Sequence, residues 1–380
     1  MVLCRKVLDT RLMKRAWSAF AVYTVISFGV AGCGETLPPS AAAPAATSAP
    51  KAEAAAAEPS SASSAVPPAP SASPEDLRKA EAQRRLDIDR AKWDEANKRE
   101  IARWTPELHA EAKALVERSY SDVRGALRAA LAGRHRLPGH SDRDRYRHPL
   151  ETLEFFGFKP SLTTLEIDPG EGWYTELLAP ALAAKGHLIM TTADPNGPAD
   201  QRSTFYGQRV RAFLDHSPET YGKVRTVIVN SSAPTLGADG SVDLALSMRT
   251  LHGTVANGTL NAWLDAIHRV LRPNGVLGVE EHRARPDAAP LESAKKGYLP
   301  ETWLIARIEA AGFKLAGKSE VNANPKDTKD YPDGVWTLPP TLRLGDQDRE
   351  KYTAIGESDR MTLKFARIDS RSATTPAPSR

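Results

Sequence analysis

The chain has 380 residues, a formal net charge of +4 and two cysteines. The whole positive excess sits in residues 1–32, where Arg5, Lys6, Arg11, Lys14 and Arg15 face only Asp9, so the remainder is neutral and offers no basic footprint for nucleic acid. Cys4 and Cys33 both precede the region of globular composition, which excludes disulfides, cysteine–zinc sites and thiol nucleophiles there.

Residues 1–32 combine a basic stretch ending at Arg15 with an apolar run from Ala16 to Val30. The run is short for a bilayer span and suits a secretory signal. It ends in Val30-Ala31-Gly32-Cys33, and small residues before a cysteine resemble the lipobox of bacterial lipoproteins. That resemblance implies cleavage before Cys33, a lipid anchor on its thiol and a place in the cell envelope. Gly34, where an Asp would act as a retention signal, points to the outer membrane. Residues 33–74 are dominated by Ala, Pro and Ser, too poor in apolar side chains to offset the entropy of ordering, so a disordered tether is expected.

Residues 75–141 predict a charged helical extension. Ser73-Pro74-Glu75-Asp76 starts a helix of mixed charge, read as a solvated one, and Thr105-Pro106-Glu107 starts a second with a better apolar face. A third covers Val123 to Leu131, and the set is expected to cap the main domain. Arg134 to His148, with Arg143, Arg145 and Arg147, reads either as a solvated polar loop or as a segment that binds an anion or covers a pocket.

The main domain is placed at 142–368, with a short tail at 369–380. Its organising stretch is Leu162 to Ile167, a short apolar strand, followed by the turn Asp168-Pro-Gly-Glu-Gly172 and a helix with Tyr174, Leu177 and Leu178 on one face. Such a strand–turn–helix holds a small polar ligand above the strand's carboxyl end, and Gly170 and Gly172 let it approach the backbone. Further strands are predicted at His187–Thr192, Val224–Val229, Val242–Ser247, Val276–Glu280, Phe313–Ser319 and Met361–Ile368. Helices are predicted near Ala199–Leu214, at Leu260–Leu271 and at Thr302–Ala311. This alternation argues for an α/β fold with a parallel, doubly wound sheet.

Glu166-x-Asp-x-Gly170-x-Gly172, the acidic Asp194 after the second strand, Gly240-Ser-Val-Asp243 before the fourth and Val270-Leu-Arg-Pro-Asn-Gly275 before the fifth are similar to the class I methyltransferases that use S-adenosylmethionine. A closer match lies in Gly170-x-Gly-Trp-Tyr-Thr-Glu-Leu-Leu-Ala-Pro180, Glu281-His-Arg-Ala284, Asn322 to Asp330, Gly334 to Pro340 and Glu357 to Phe365. These resemble a bacterial family of predicted methyltransferases over about Asp142 to Phe365. The resemblance implies a seven-stranded, mostly parallel Rossmann-like sheet and S-adenosylmethionine as cofactor, and names no acceptor. By position, it implies that Glu166, Gly170 and Gly172 hold the methionine end, that Asp194 accepts the ribose hydroxyls and that Ser231 or Ser232 lies near the adenine. Asp168 stands where the wider class prefers Gly. It sets a third carboxylate beside Glu166 and Glu171, which would repel the cofactor's carboxylate and attract its ammonium.

Methyl transfer is a displacement in which the enzyme positions the partners and needs a base only if the acceptor loses a proton. His252 and His282, after the fourth and fifth strands, are candidates for that base or for an orienting donor, and equally for loop caps. Arg249 and Arg283 are candidates for holding an acidic substrate. Asn324, Lys326 and Trp336 are candidates in the long loop from Asn322 to Pro340. No Walker loop, His-Glu-x-x-His or Gly-x-Ser-x-Gly motif is present, and Glu281-His282 alone is too sparse to predict a metal. A cytoplasmic cofactor sits uneasily with an exported chain. The expected activity is therefore methyl transfer by a lipid-anchored envelope protein, with a non-catalytic ligand-binding lipoprotein as the alternative.

Overall fold

The computed structural model describes residues 73–368. The leader with Cys33, nearly all of the Ala/Pro/Ser segment and the tail lie outside the described residues. Among those described, no helix is long and apolar enough to cross a membrane.

The seven strands are β1 (Thr163–Ile167), β2 (His187–Thr192), β3 (Arg225–Ile228), β4 (Val242–Met248), β5 (Leu271–His282), β6 (Phe313–Ser319) and β7 (Arg360–Arg367). They form one sheet in the order β3-β2-β1-β4-β5-β7-β6. β1 pairs in parallel with both β2 and β4, while β7 runs antiparallel between β5 and β6. This is the mostly parallel, doubly wound Rossmann-like sheet of the class I methyltransferase type. The winding reverses between β1 and β4, which opens a crevice at the carboxyl ends of the strands.

Helices cover both faces, so the strands carry apolar side chains in both directions. Leu165, Ile167 and Ala245 point into one layer with Leu264 and Ile267 of the helix Leu260–Val270. Leu244 and Leu246 point the other way, against Leu177 and Leu178 of the helix Thr175–Leu182. The same alternation turns Glu166 toward the second layer, where the Thr175 hydroxyl donates to it. The fifth strand is longer than its apolar run suggests. It begins at Leu271, which pairs with Val242 before a register shift, so Arg272 to Gly275 belongs to the strand rather than to a simple turn.

The amino-terminal helix Pro74–Arg103 starts with a reciprocal Ser73–Asp76 capping box. It is largely exposed, as its charge suggests, but one edge rests on the helix Arg202–Asp215. Trp93 meets Phe205 edge-on at 5.8 Å, and Asn97 bonds His216 at 2.8 Å. The segment from Arg134 to His148 departs from the solvated-loop reading, because His135, Arg136, His140 and Arg147 are buried. Its anchor is Glu176, a fully buried carboxylate that accepts from the Leu137 amide at 2.7 Å and meets His140 Nδ1 at 3.0 Å. A charge buried that deeply must find donors, and the basic segment supplies them.

Candidate functional site

The crevice at the strand ends is open. A cleft of about 960 Å3 is bounded by the turn after β1 (Asp168, Gly170, Glu171), the end of β2 (Thr192, Asp194), the end of β3 (Asn230, Ser231) and Trp263. Gly170 sits in the left-handed region at φ 61°, and a Cβ there would meet nothing within 4 Å. Backbone is thus presented bare to the cleft. Asp194 uses one carboxylate oxygen to cap its own turn at the Asn196 amide, 2.8 Å away. Its side chain stays exposed at the cleft wall, with a second oxygen that makes no bond within the described residues. The Ser231 carbonyl is fixed by the Trp263 indole N–H at 2.9 Å.

Two of the sequence-derived cofactor residues stand elsewhere. Glu166 is buried behind the turn, accepting a 2.6 Å bond from Thr175, and burial pushes its carboxyl up to about 7. Gly172 lines neither the cleft nor the pocket beside it but another hollow, of about 620 Å3, beneath the amino-terminal helix. A Cβ there would meet the Phe213 ring at 2.6 Å, so this glycine admits a protein side chain. These placements also simplify the three-carboxylate turn. Glu171 is paired with Arg209 at 2.6 Å and Glu166 is withdrawn, leaving Asp168 as the carboxylate of the turn that has no ion-pair partner among the described residues. Asp168 is reached by solvent but crowded by protein, and that desolvation raises its carboxyl above the usual range against the pull of His252. Its backbone is left-handed at φ 49°, held by an amide bond to Thr191 Oγ1 at 2.8 Å.

On the other side of the turn lies a second pocket of about 410 Å3. It shares Asp168, Gly170, Glu171, His252 and Trp336 with the cleft, so the two hollows meet across these residues. His252 Nδ1 is 3.0 Å from a Glu281 oxygen, and Glu281 also accepts the backbone amides of His252 and His282 at 3.1 and 2.9 Å. Burial would lower the His252 imidazole, but the Glu281 carboxylate outweighs it, with Asp168 adding to it, and the pKa is raised. His282, by contrast, is driven well below the ordinary histidine value, first by burial and then by the charges of His252, Arg249 and Arg360. Its Nδ1 is 2.6 Å from Ser358 Oγ. One imidazole is thus made more basic than an ordinary histidine and its neighbour less basic, with ring centres 5.6 Å apart.

His252, Glu281 and His282 place one ligand atom each within 4.8 Å of one another, a spacing a divalent ion could use. As arranged, however, Glu281 spends its lone pairs on three N–H donors and serves to orient His252.

Arg249 lines the second pocket from a left-handed backbone at φ 63°, with its guanidinium on buried Glu280 at 2.8 Å. Trp336 faces both hollows. Arg283 does not face either, being drawn off by Glu301 and Glu320. Asn324 and Lys326 are likewise structural: Asn324 donates to the Ile355 and Glu357 carbonyls at 2.9 and 2.6 Å, and Lys326 reaches the Ala354 carbonyl. Sequence reasoning missed Glu281 and Glu357. Glu281 sits inside a quoted motif beside His282, and its place on a central buried strand was the signal that an ionised partner had to be near.

No family model and no curated protein matches the chain. Among solved structures it is similar to a SAM-dependent methyltransferase from Aquifex aeolicus, at 17% identity and a TM-score of 0.39, over 60% of this chain and 93% of that one. It is also similar to the [4+2]-cyclase SpnF, at 16% identity and a TM-score of 0.43, over 58% of this chain and 81% of that one. A third is the Burkholderia thailandensis 1,6-didemethyltoxoflavin-N1-methyltransferase with bound S-adenosylhomocysteine, at 15% identity and a TM-score of 0.35, over 60% and 80%. Likenesses this distant add nothing to what the strand order already establishes.

Proposed function

We propose that this chain binds S-adenosylmethionine in the cleft above β1–β3 and methylates an acceptor held in the adjoining pocket. The observation that carries the reading is the continuity of two hollows across Asp168, Gly170, His252 and Trp336, at the point where the sheet reverses its winding. The cleft fits the cofactor's parts. The bare backbone at Gly170 and the Asp168 carboxylate suit an amino-acid tail with its ammonium, and the free oxygen of Asp194 suits a ribose diol. Ser231 and Trp263 suit the base. Glu166 acts from behind the turn, through Thr175.

When bound, the cofactor supplies an electrophilic methyl group on a sulfonium. The chain's own residues do the rest. Glu281 fixes the His252 ring through Nδ1, which leaves Nε2 to take the proton that the acceptor's nucleophile loses. Neutral His282, tied to Ser358, orients the acceptor by hydrogen bonding, and Arg249 is held ready beside it by Glu280. Trp336 spans both hollows and excludes water where they meet.

Titration calorimetry with S-adenosylmethionine and S-adenosylhomocysteine tests the assignment. Both are expected to bind, and Asp194→Ala is expected to weaken binding by roughly tenfold or more, for the loss of about 1.5–3 kcal/mol of charge-assisted hydrogen bonding. No heat with either nucleoside would end the methyl-transfer reading and leave a ligand-binding protein on this fold. The leader adds the proposal that the domain is tethered to the bacterial envelope by lipid on Cys33, outside the described residues. Metabolic labelling with a fatty acid checks it: label that persists in Cys33→Ser would count against the anchor.

A further inference from the structure

We infer that the second pocket selects an acceptor carrying an anionic group, a carboxylate or a phosphate, and that Arg143 and Arg147 hold it. This rests on the reading of the cleft as a cofactor site and adds the chemical class of the second substrate.

Four guanidiniums, those of Arg143, Arg147, Arg249 and Arg360, gather around two buried carboxylates, Glu280 and Glu357. Arg360 is drawn to these two carboxylates and to the Tyr146 carbonyl. Its Nε lies 2.8 Å from Glu280, one terminal nitrogen is on Glu357 at 2.5 Å, and the other is on the Tyr146 carbonyl. Glu280 is shared between Arg360, Arg249 and the Tyr174 hydroxyl, which donates to it at 2.9 Å. Arg143 and Arg147 divide what is left of Glu357, each through Nε alone, at 2.7 and 3.1 Å. Among the described residues their terminal nitrogens make no hydrogen bond, and both side chains line the pocket. Burial would raise the Glu357 carboxyl, yet Arg360, Arg143 and Arg249 together hold it below the usual range, a sign of how far cations outnumber anions there.

The remaining charges do not cancel the excess. Asp168 and Glu171 also line the pocket, and Glu171 is committed to Arg209. His252 brings no negative charge in either of its protonation forms. The Arg147 fork is also stiff. The Arg147 guanidinium lies 4.6 Å from the centre of the Trp173 ring and its side chain is only 5% exposed. A planar fork fixed at Nε, with its outer edge bare in a partly closed pocket, is matched by a two-oxygen anion. The facing wall of Val335, Trp336, Pro339 and Pro340 suits an apolar body behind that anion.

The test titrates the whole protein with benzoate, phenyl phosphate and benzamide, three probes of similar shape and different charge. At least one anion is expected to bind about tenfold more tightly than benzamide, and the preferred one tells carboxylate from phosphate. Arg143→Gln, at the more exposed of the two forks, is expected to lose about tenfold in anion binding and leave benzamide unchanged. Equal binding of all three probes to the unaltered protein, or an Arg143→Gln variant that keeps its anion affinity, would overturn the inference. The wild-type comparison holds even if the variant does not fold. Titration with S-adenosylhomocysteine alone, on the same sample, judges the cofactor reading separately. Nucleoside binding without anion preference removes only the acceptor class, and anion preference without nucleoside binding removes methyl transfer and keeps the anion site.

Discussion

The two hollows that meet at Asp168 are built in different ways. The cleft above β1–β3 is built mainly from strand ends and the turns and helix that follow them in sequence, and its one free carboxylate on the β2 side belongs to a self-capped turn. The second pocket is made of long side chains from distant segments, 143–147, 249–252, 335–341 and 357–358, tied together by ion pairs. A wall of strand ends and their adjoining segments follows from the fold. Walls of buried charge exist only while each charge keeps its partner.

The sharpest way to break that contrast is at Glu357. Glu357→Gln keeps the shape but leaves the Arg143, Arg147 and Arg360 guanidiniums without their shared anion. Removing one partner of a buried ionic cluster costs about 3–5 kcal/mol. Urea denaturation should show a loss of that order. A loss below about 1 kcal/mol would mean that the pocket is held by packing and that its charges are bystanders.

How far each hollow could be read beforehand follows the same division. The doubly wound sheet, the glycine turn and Asp194 are local signals, because a strand, its turn and the next helix are contiguous in sequence. The second pocket was legible only in pieces. His252 and His282 stand at strand ends and could be named, but nothing in the sequence says that Glu281 sets one against the other. Arg143 and Arg147 lie in a segment that reads either as a solvated loop or as one that binds an anion or covers a pocket, and nothing local decides because their partner, Glu357, lies more than two hundred residues away. Arg283 was named for the reverse reason. It sits beside His282, yet strand alternation turns it to Glu301 and Glu320 on the other side. Gly172 looked like its neighbour Gly170 and is not, since only the contact with Phe213 separates a packing glycine from a ligand-facing one.

The cleft can be sharpened at Glu166. Its carboxyl lies at about 7 in the fold against 4.5 for the free group, raised by burial. The sign follows from that direction. Ionising the group costs more in the folded state, so it withdraws stability as pH rises from about 4.5 to about 7, and the withdrawal is complete above that. Glu166→Gln retains an acceptor for Thr175 and cannot ionise. It is expected to be more stable than the parent by about 1–2 kcal/mol near pH 8, with the gain vanishing near pH 4. A thermal-melt series across pH checks both ends. A destabilised variant at pH 8 would show that the ionised carboxylate is needed behind the turn.

The smallest effect is expected at the floor the hollows share. Asp168 holds a left-handed backbone that Gly adopts without a Cβ penalty, at φ 49°. Asp168→Gly removes strain of about 1 kcal/mol and gives back a similar amount through the freer unfolded chain, so stability should move by less than about 0.5 kcal/mol. Binding is where the change should register. If the lone carboxylate of the turn repels the cofactor's carboxylate more than it attracts its ammonium, S-adenosylhomocysteine binds the Gly variant several-fold more tightly. With Glu166 withdrawn and Glu171 neutralised by Arg209, Asp168 is the only acid left to meet that ammonium, and the opposite result is the expected one: affinity falls by about threefold to tenfold. Tighter binding in Asp168→Gly would mark the residue as an impediment in the cofactor cleft, and would shift its role to the second pocket, whose lining it shares with Arg143 and Arg147 as a counter-charge.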